Sequence, residues 1–271
     1  HFLAPEAKGH GVPEVMQSIL LRGGIIRPRV AVIKAIASAV TIGTGGSVGR
    51  EGPIIQIGSS LGSTVGQFFN IHGTRIKTLV GCGAAAGIAA AFNAPIAGAL
   101  FAVEIILMDF AWARFSPIVI SSVMATVISH NFESNLATFI VPPYQLVNPL
   151  ELVFYLMLGL LSGLISYLFI KVLYAFEHFF ENHLKFPEYL QPALGGMIIG
   201  LTALYFPQIM GVGYDSINNA LYGETIWYLA LTLIFVKILA TSFTLASGGS
   251  GGIFAPSLFI GAMLGCFFGS F

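Results

Sequence analysis

A nine-residue pattern occurs twice in this chain. Residues 45–53 read G-G-S-V-G-R-E-G-P and residues 248–256 read G-G-S-G-G-I-F-A-P, so both fit G-G-S-x-G-x-x-x-P at an offset of 203. The match extends to either side. Upstream, Lys34 pairs with Lys237, Ala37 with Ala240 and Thr41 with Thr244. Downstream, Ile57, Gly58, Leu61, Gly62 and Gly66 pair with Ile260, Gly261, Leu264, Gly265 and Gly269. Chance seldom keeps so many identities in one register. Each copy sits between apolar segments. A doubled, glycine-broken element in an apolar chain marks a membrane fold made of two repeats, with its site where the broken helices meet.

The solvent of that fold follows from charge. Of 271 residues, 56% are hydrophobic and 9% charged, against about 25% charged in a soluble domain. So few charges cannot cover a water-facing surface, and a lipid bilayer is the expected partner. The 32 glycines suit closely packed membrane helices. A net charge of zero gives no reason to expect a nucleic acid or other polyanion. Cys82 and Cys266 lie in apolar runs and read as buried free thiols, not as a disulfide or metal pair. No metal and no cofactor are expected. An enzyme that cradles a nucleotide on a glycine loop is remote, because the chain lacks G-x-x-x-x-G-K-[ST].

Apolar runs outline roughly ten helices of very unequal length, and none alternates at the period of a strand. Val30–Thr44 is short for a bilayer span of about 20 residues. The motif interrupts it and Ile54–Phe69 resumes, with Gly58, Gly62 and Gly66 on one small-residue face. Asn93-Ala94-Pro95 breaks a second pair of apolar halves, and Leu150–Phe180 is a long continuous run. A polar, proline-containing stretch at 130–148 divides the chain into a first repeat of about 1–135 and a second of about 148–271. The single membrane domain, 1–271, opens on His1 and closes inside an apolar run. It therefore reads as part of a longer protein, truncated at both ends. Arg22, Arg27 and Arg29 make the densest basic loop, which the positive-inside bias places in the cytoplasm.

The broken segments carry the chemistry. Glycine-rich turns that enter helices present unpaired N–H groups, and the helix dipole adds partial positive charge there. Two such ends converging make an anion site without a fixed cation. Partial charges also allow release, which a full charge in low dielectric would oppose. Three stretches have this form: Gly9-His10-Gly11-Val12-Pro13, Gly49-Arg50-Glu51-Gly52-Pro53 and Gly252-Ile253-Phe254-Ala255-Pro256. Glu51 is the sharpest single residue. An acid inside an apolar setting is costly and is read as functional, and the second repeat has Phe254 in its place, so the architecture does not require a carboxylate there. Glu51 is expected to compete with anions for the helix-end amides and to open the path on protonation or outward swing.

These pieces resemble the CLC family of chloride channels and chloride/proton antiporters. The resemblance rests on GHGVP at 9–13, GREGP at 49–53, AFNAPIAGALFAVE at 91–104 and GGIFAP at 251–256, and it covers essentially the whole chain. It implies an all-α membrane fold of many tilted and broken transmembrane helices in two inverted repeats, and a homodimer in which each subunit has its own pore. It further implies a gating role for Glu51. Anion-binding groups would come from His10, Gly11, Arg50, Glu51, Gly52, Ile253, Phe254 and Ala255, and Phe254 would line the path. Two departures matter. His10 replaces the serine usual in the first motif; a neutral imidazole still donates one hydrogen bond. In the run Leu100–Ile105, Glu104 matches the first of two acids common in antiporters and is the proton-pathway candidate, but Ile105 occupies the place of the second, the internal proton acceptor. Isoleucine carries no proton, so this departure favours a passive, glutamate-gated chloride channel over a chloride/proton antiporter, with a non-conducting scaffold remote; voltage-gated behaviour enters only as part of the family resemblance. Pro53 favours chloride or a similar monovalent anion over fluoride. The inner membrane of a bacterium is the expected location.

Lys34 and Lys237 are expected to snorkel from their spans to the interface. His178, His183, Glu177 and Glu181 read as a solvated helix end rather than a metal site. Asp109 and Arg114 read as interfacial anchors.

Overall fold

The computed structural model describes residues 5–7, 9–132, 139, 141–143, 148–183, 187 and 189–270. The outer ends of both repeats, the expected break near residue 135 and most of the connection before 148 lie outside the described residues. Among the described residues there are eleven α-helices and no strand: α1 (Val12–Leu21), α2 (Arg29–Gly43), α3 (Glu51–Phe68), α4 (Thr74–Phe92), α5 (Pro95–Phe101), α6 (Trp112–Ser129), α7 (Glu151–Asn182), α8 (Gln191–Ala203), α9 (Tyr214–Leu221), α10 (Trp227–Ala246) and α11 (Phe254–Gly269). Four of them, α4, α6, α7 and α10, are long and apolar enough to cross a membrane. The AFNAP stretch breaks as its sequence suggests. Asn93 takes a left-handed conformation after α4 and Pro95 begins α5, which is where proline's missing N–H costs nothing.

The chain forms two compact units. The first holds α1 to α6, save the last two residues of α2, together with Ser250–Gly252; the second holds α7 to α11 together with Ile42–Gly49. Each unit therefore contains a turn supplied by the other half of the sequence. The same hydrogen bonds hold both turns. In the first unit the Ser250 amide donates to Thr41 Oγ1 (3.1 Å), whose hydroxyl donates to Ala37 O (2.9 Å). In the second the Ser47 amide donates to Thr244 Oγ1 (3.1 Å), whose hydroxyl donates to Ala240 O (2.7 Å). All three pairs are related by the offset seen in the sequence.

The core of the first unit gathers Val15, Val30, Ile55, Val80, Ile106 and Ile118. Its closest packing is between α3 and α4. A methyl on Gly58 would lie 2.2 Å from Gly83 O, and one on Gly62 2.1 Å from Leu79 O. The small-residue face read from sequence lets the two backbones touch. The core of the second unit gathers Phe169, Ile209, Leu233, Ile234, Phe259 and Met263. Outward, α7 shows Leu156, Leu160 and Leu164, a surface suited to hydrocarbon or protein.

The two lysines do not snorkel. Both are fully buried. Lys34 Nζ donates to Ala7 O (3.1 Å) and Gly9 O (2.8 Å), and Lys237 Nζ donates to Ile209 O (3.0 Å) and Gly211 O (3.1 Å). Orphan carbonyls in glycine-rich turns need donors where water is absent, and a lysine reaching inward from the neighbouring helix supplies them. Replacing Lys237 with Met keeps the stem's volume but strands two carbonyls, at about 1–3 kcal/mol each. We expect a clear fall in the unfolding temperature of the purified protein in detergent, several degrees or more; an unchanged value would show that the bonds contribute nothing.

Asp109 and Arg114 pair with each other at 2.7 Å. Among the described residues no group of His, Cys, Asp and Glu is arranged to hold a metal; the His178 ring instead meets Asn182 at 2.9 Å.

Candidate anion site at the broken helices

Three stretches of backbone meet in the first unit. Gly9 and Ser250 form a parallel bridge, which lays Ser250–Gly252 beside the loop that enters α1. Ser250 Oγ donates to Ala7 O (3.0 Å), the carbonyl that also receives Lys34. The start of α3 packs against both. A methyl on Gly52 would sit 2.0 Å from His10 O and 3.1 Å from Gly252 Cα, and one on Gly11 would sit 2.6 Å from Gly52 O. Only glycine fits at these approaches, and Gly11 also has φ +93°, a region costly for other residues.

Glu51 is the first residue of α3 and its side chain is buried, 1% exposed. The helix therefore starts three residues earlier than the apolar run suggests, at the acid itself. The Arg50 side chain turns away from the turn and donates through Nη2 to Ala91 O (3.1 Å) at the end of α4, where a cation complements the exposed carbonyls.

The structure thus brings His10, Gly11, Arg50, Glu51 and Gly52 together within one unit. Ile253, Phe254 and Ala255 open α11 in the second unit, with Ile253 packed near Val48, Leu173 and Leu245, Ala255 buried and Phe254 44% exposed. Glu104 lies on an exposed face of a π-helical segment, Ala102–Leu107, that continues α5, and Ile105 is exposed beside it; π turns recur at functional sites.

Two features escaped the sequence reading. The first concerns Gly11, read as an anion-binding amide. Its N–H is donated to Glu14 Oε2 at 2.9 Å, so the first turn of α1 is capped by the chain's own carboxylate. The second is a counterpart of the His10 loop. Gly211-Val212-Gly213 precedes α9, both glycines have positive φ, and Lys237 holds it as Lys34 holds Gly9. The signal was present as a second G-x-G, shifted by one residue from the register of the main repeat.

The whole chain, residues 1–271, matches the family model described as voltage gated chloride channel. The chain belongs to the CLC family. It is 33% identical over 264 residues to the putative chloride channel protein ClcB-like of Ralstonia nicotianae, covering 96% of this chain and 61% of that protein. It is 35% identical over 281 residues to the H(+)/Cl(-) exchange transporter ClcA of Vibrio vulnificus, covering all of this chain and 59% of the relative. Among solved structures, a slow cyanobacterial Cl-/H+ antiporter superposes with a TM-score of 0.83 at 26% identity over 97% of this chain and 63% of that one. The chain thus spans about three fifths of these relatives, and like them it is read as an integral membrane protein.

Proposed function

We propose that the protein moves chloride across a membrane in exchange for protons, with Glu51 as the gate. The observation that carries this reading is the meeting of the His10 loop, Ser250–Gly252 and the α3 start beside a buried first-turn acid. Helix-end amides there offer an anion partial positive charge, and a carboxylate on the same turn competes for it. Protonating that carboxylate removes the competitor, so one group links proton and chloride movement. Taken alone, the sequence ranks passive conduction first, on the strength of Ile105. Relatives named as H(+)/Cl(-) exchangers reverse that order. Passive conduction stays as the second reading because Ile105 has no proton to carry and other relatives bear the name chloride channel. A homodimer, completion of the pore by segments outside this chain, a place in a bacterial plasma membrane and any voltage dependence belong to the same proposal.

The test uses the full-length protein in liposomes. An outward chloride gradient at equal pH should drive protons uphill through an exchanger. Chloride flux without proton movement would leave the passive reading, and no chloride flux would leave a scaffold.

A further inference from the structure

Exchange needs a group that takes protons from the side opposite the gate, and Ile105 cannot be it. A small cavity in the first unit supplies an alternative. It has a volume of about 20 Å³ and is lined by Glu6, Glu14, Ser18, Arg22, Arg27 and Gln56 together with apolar side chains. Arg22 and Arg27 are exposed and mark its outer rim, in the basic loop assigned above to the cytoplasm. Gln56 is buried and Glu14 half-buried. A volume above about 10–15 Å³ holds one water if two to four polar groups face it.

Two buried oxygens of this lining, on Gln56 and Glu6, lack donors. Gln56 is 1% exposed. Its Nε2 donates to Glu6 O (2.6 Å), while its Oε1 is buried with no hydrogen-bond partner among the described residues. Glu6 Oε2 is likewise buried without a partner, and its other oxygen receives Arg22 and Arg27. Glu14 Oε2 accepts from the Gly11 amide. One lining residue, Gln56, also borders the candidate site. Gln56 Oε1 would lie 3.1 Å from a methyl on Gly11, and Gly11 abuts Gly52, the residue after Glu51.

We propose that Glu14 is the internal proton acceptor of this chain, with a water held by Gln56 and Glu6 passing the proton toward Glu51. The inference rests on the exchange reading. A hydronium entering between Arg22 and Arg27 gives its proton to the Glu14 carboxylate and leaves as water. Neutral Glu14 then yields that proton through the water to the Glu51 carboxylate and is ionised again. The surroundings divide the roles between the two acids. Glu6 is paired with two arginines, and those ion pairs hold it ionised at the rim. Glu14 shares the cavity with the neutral Gln56 of α3 and with Glu6, Arg22 and Arg27, and lies within electrostatic reach of Lys34 of α2. The Lys34 ammonium is already bonded to Ala7 O and Gly9 O but acts on Glu14 through space.

The experiment measures proton and chloride fluxes together in liposomes holding the full-length protein. Glu14→Gln should lower the ratio of protons to chloride moved at least tenfold. Glu14→Asp should recover most of it, which a purely structural cap would not require of the ratio. Gln56→Leu, which removes the polar link but not the cap, should lower the ratio severalfold and serves if Glu14→Gln does not fold. A coupled wild type with an unchanged ratio in Glu14→Gln or Gln56→Leu overturns the proposal alone. Loss of coupling in Glu104→Gln with retention in Glu14→Gln also overturns it and assigns the role to Glu104. A wild type that moves chloride without protons overturns the exchange reading itself.

Discussion

Glu51→Gln should give a protein whose chloride flux no longer depends on pH and whose proton flux is at least tenfold lower. The amide keeps the size and much of the hydrogen-bonding capacity of the acid, so α3 should still begin at residue 51. What is lost is the negative charge. Glu51 is a buried first-turn carboxylate, favoured by the helix dipole, and on the proposed reading it competes with an incoming anion for the same helix-end amides. An uncharged amide leaves that attraction to chloride at every pH. Proton exchange has no carrier at the gate in the variant, so the two ions should uncouple. Chloride and proton fluxes recorded on the same liposomes across a series of pH values check this. A variant that keeps the native pH profile would remove Glu51 from gating.

Gly52→Ala should reduce anion transport by more than tenfold in a protein that still assembles. The added methyl would lie 2.0 Å from His10 O and 3.1 Å from Gly252 Cα. These are backbone atoms, so no side chain can swing aside. The His10 loop or the start of α3 must shift, and helix-end donors act only at hydrogen-bonding distance. Gly159→Ala on α7 is the matched control. A methyl there meets nothing within 4 Å, so its transport should match the wild type. Comparable flux in the two variants would show that the close approach at Gly52 is not required. The unfolding temperature of each, measured in detergent, separates a displaced site from a destabilised fold.

Much of the architecture was legible because hydrocarbon leaves the backbone few options. A polar group with no water must bond within its own segment, so apolar runs become helices and their interruptions become turns. That logic located α7 to within a residue or two of each end, placed the break at Asn93-Ala94-Pro95 and identified Gly58, Gly62 and Gly66 as a packing face. It erred where a local signal had two meanings. Lysine in an apolar helix reads as an interfacial anchor, yet Lys34 and Lys237 point inward. The reason is that carbonyls of distant turns lacked donors, and which carbonyls come near a lysine is a matter of chain path. The start of α3 at Glu51 agrees with the reading of Gly49–Pro53 as a helix entry, although hydropathy alone begins the run only at Ile54.

The amino-acid sequence by itself determined the solvent, the doubled element and the identity of the acid that breaks its symmetry. Composition decides the solvent, and repeat identity survives in one dimension. The tertiary structure alone decided that the first half lends Ile42–Gly49 and the second Ser250–Gly252 to the other's unit, that two lysines fasten the G-x-G loops, and that a small polar cavity forms between Gln56 and Glu6. Those are contacts between residues up to 243 positions apart, such as Ser250 with Ala7. No local spacing encodes them, because they arise only when closely packed glycine backbones bring unsatisfied donors and acceptors within reach.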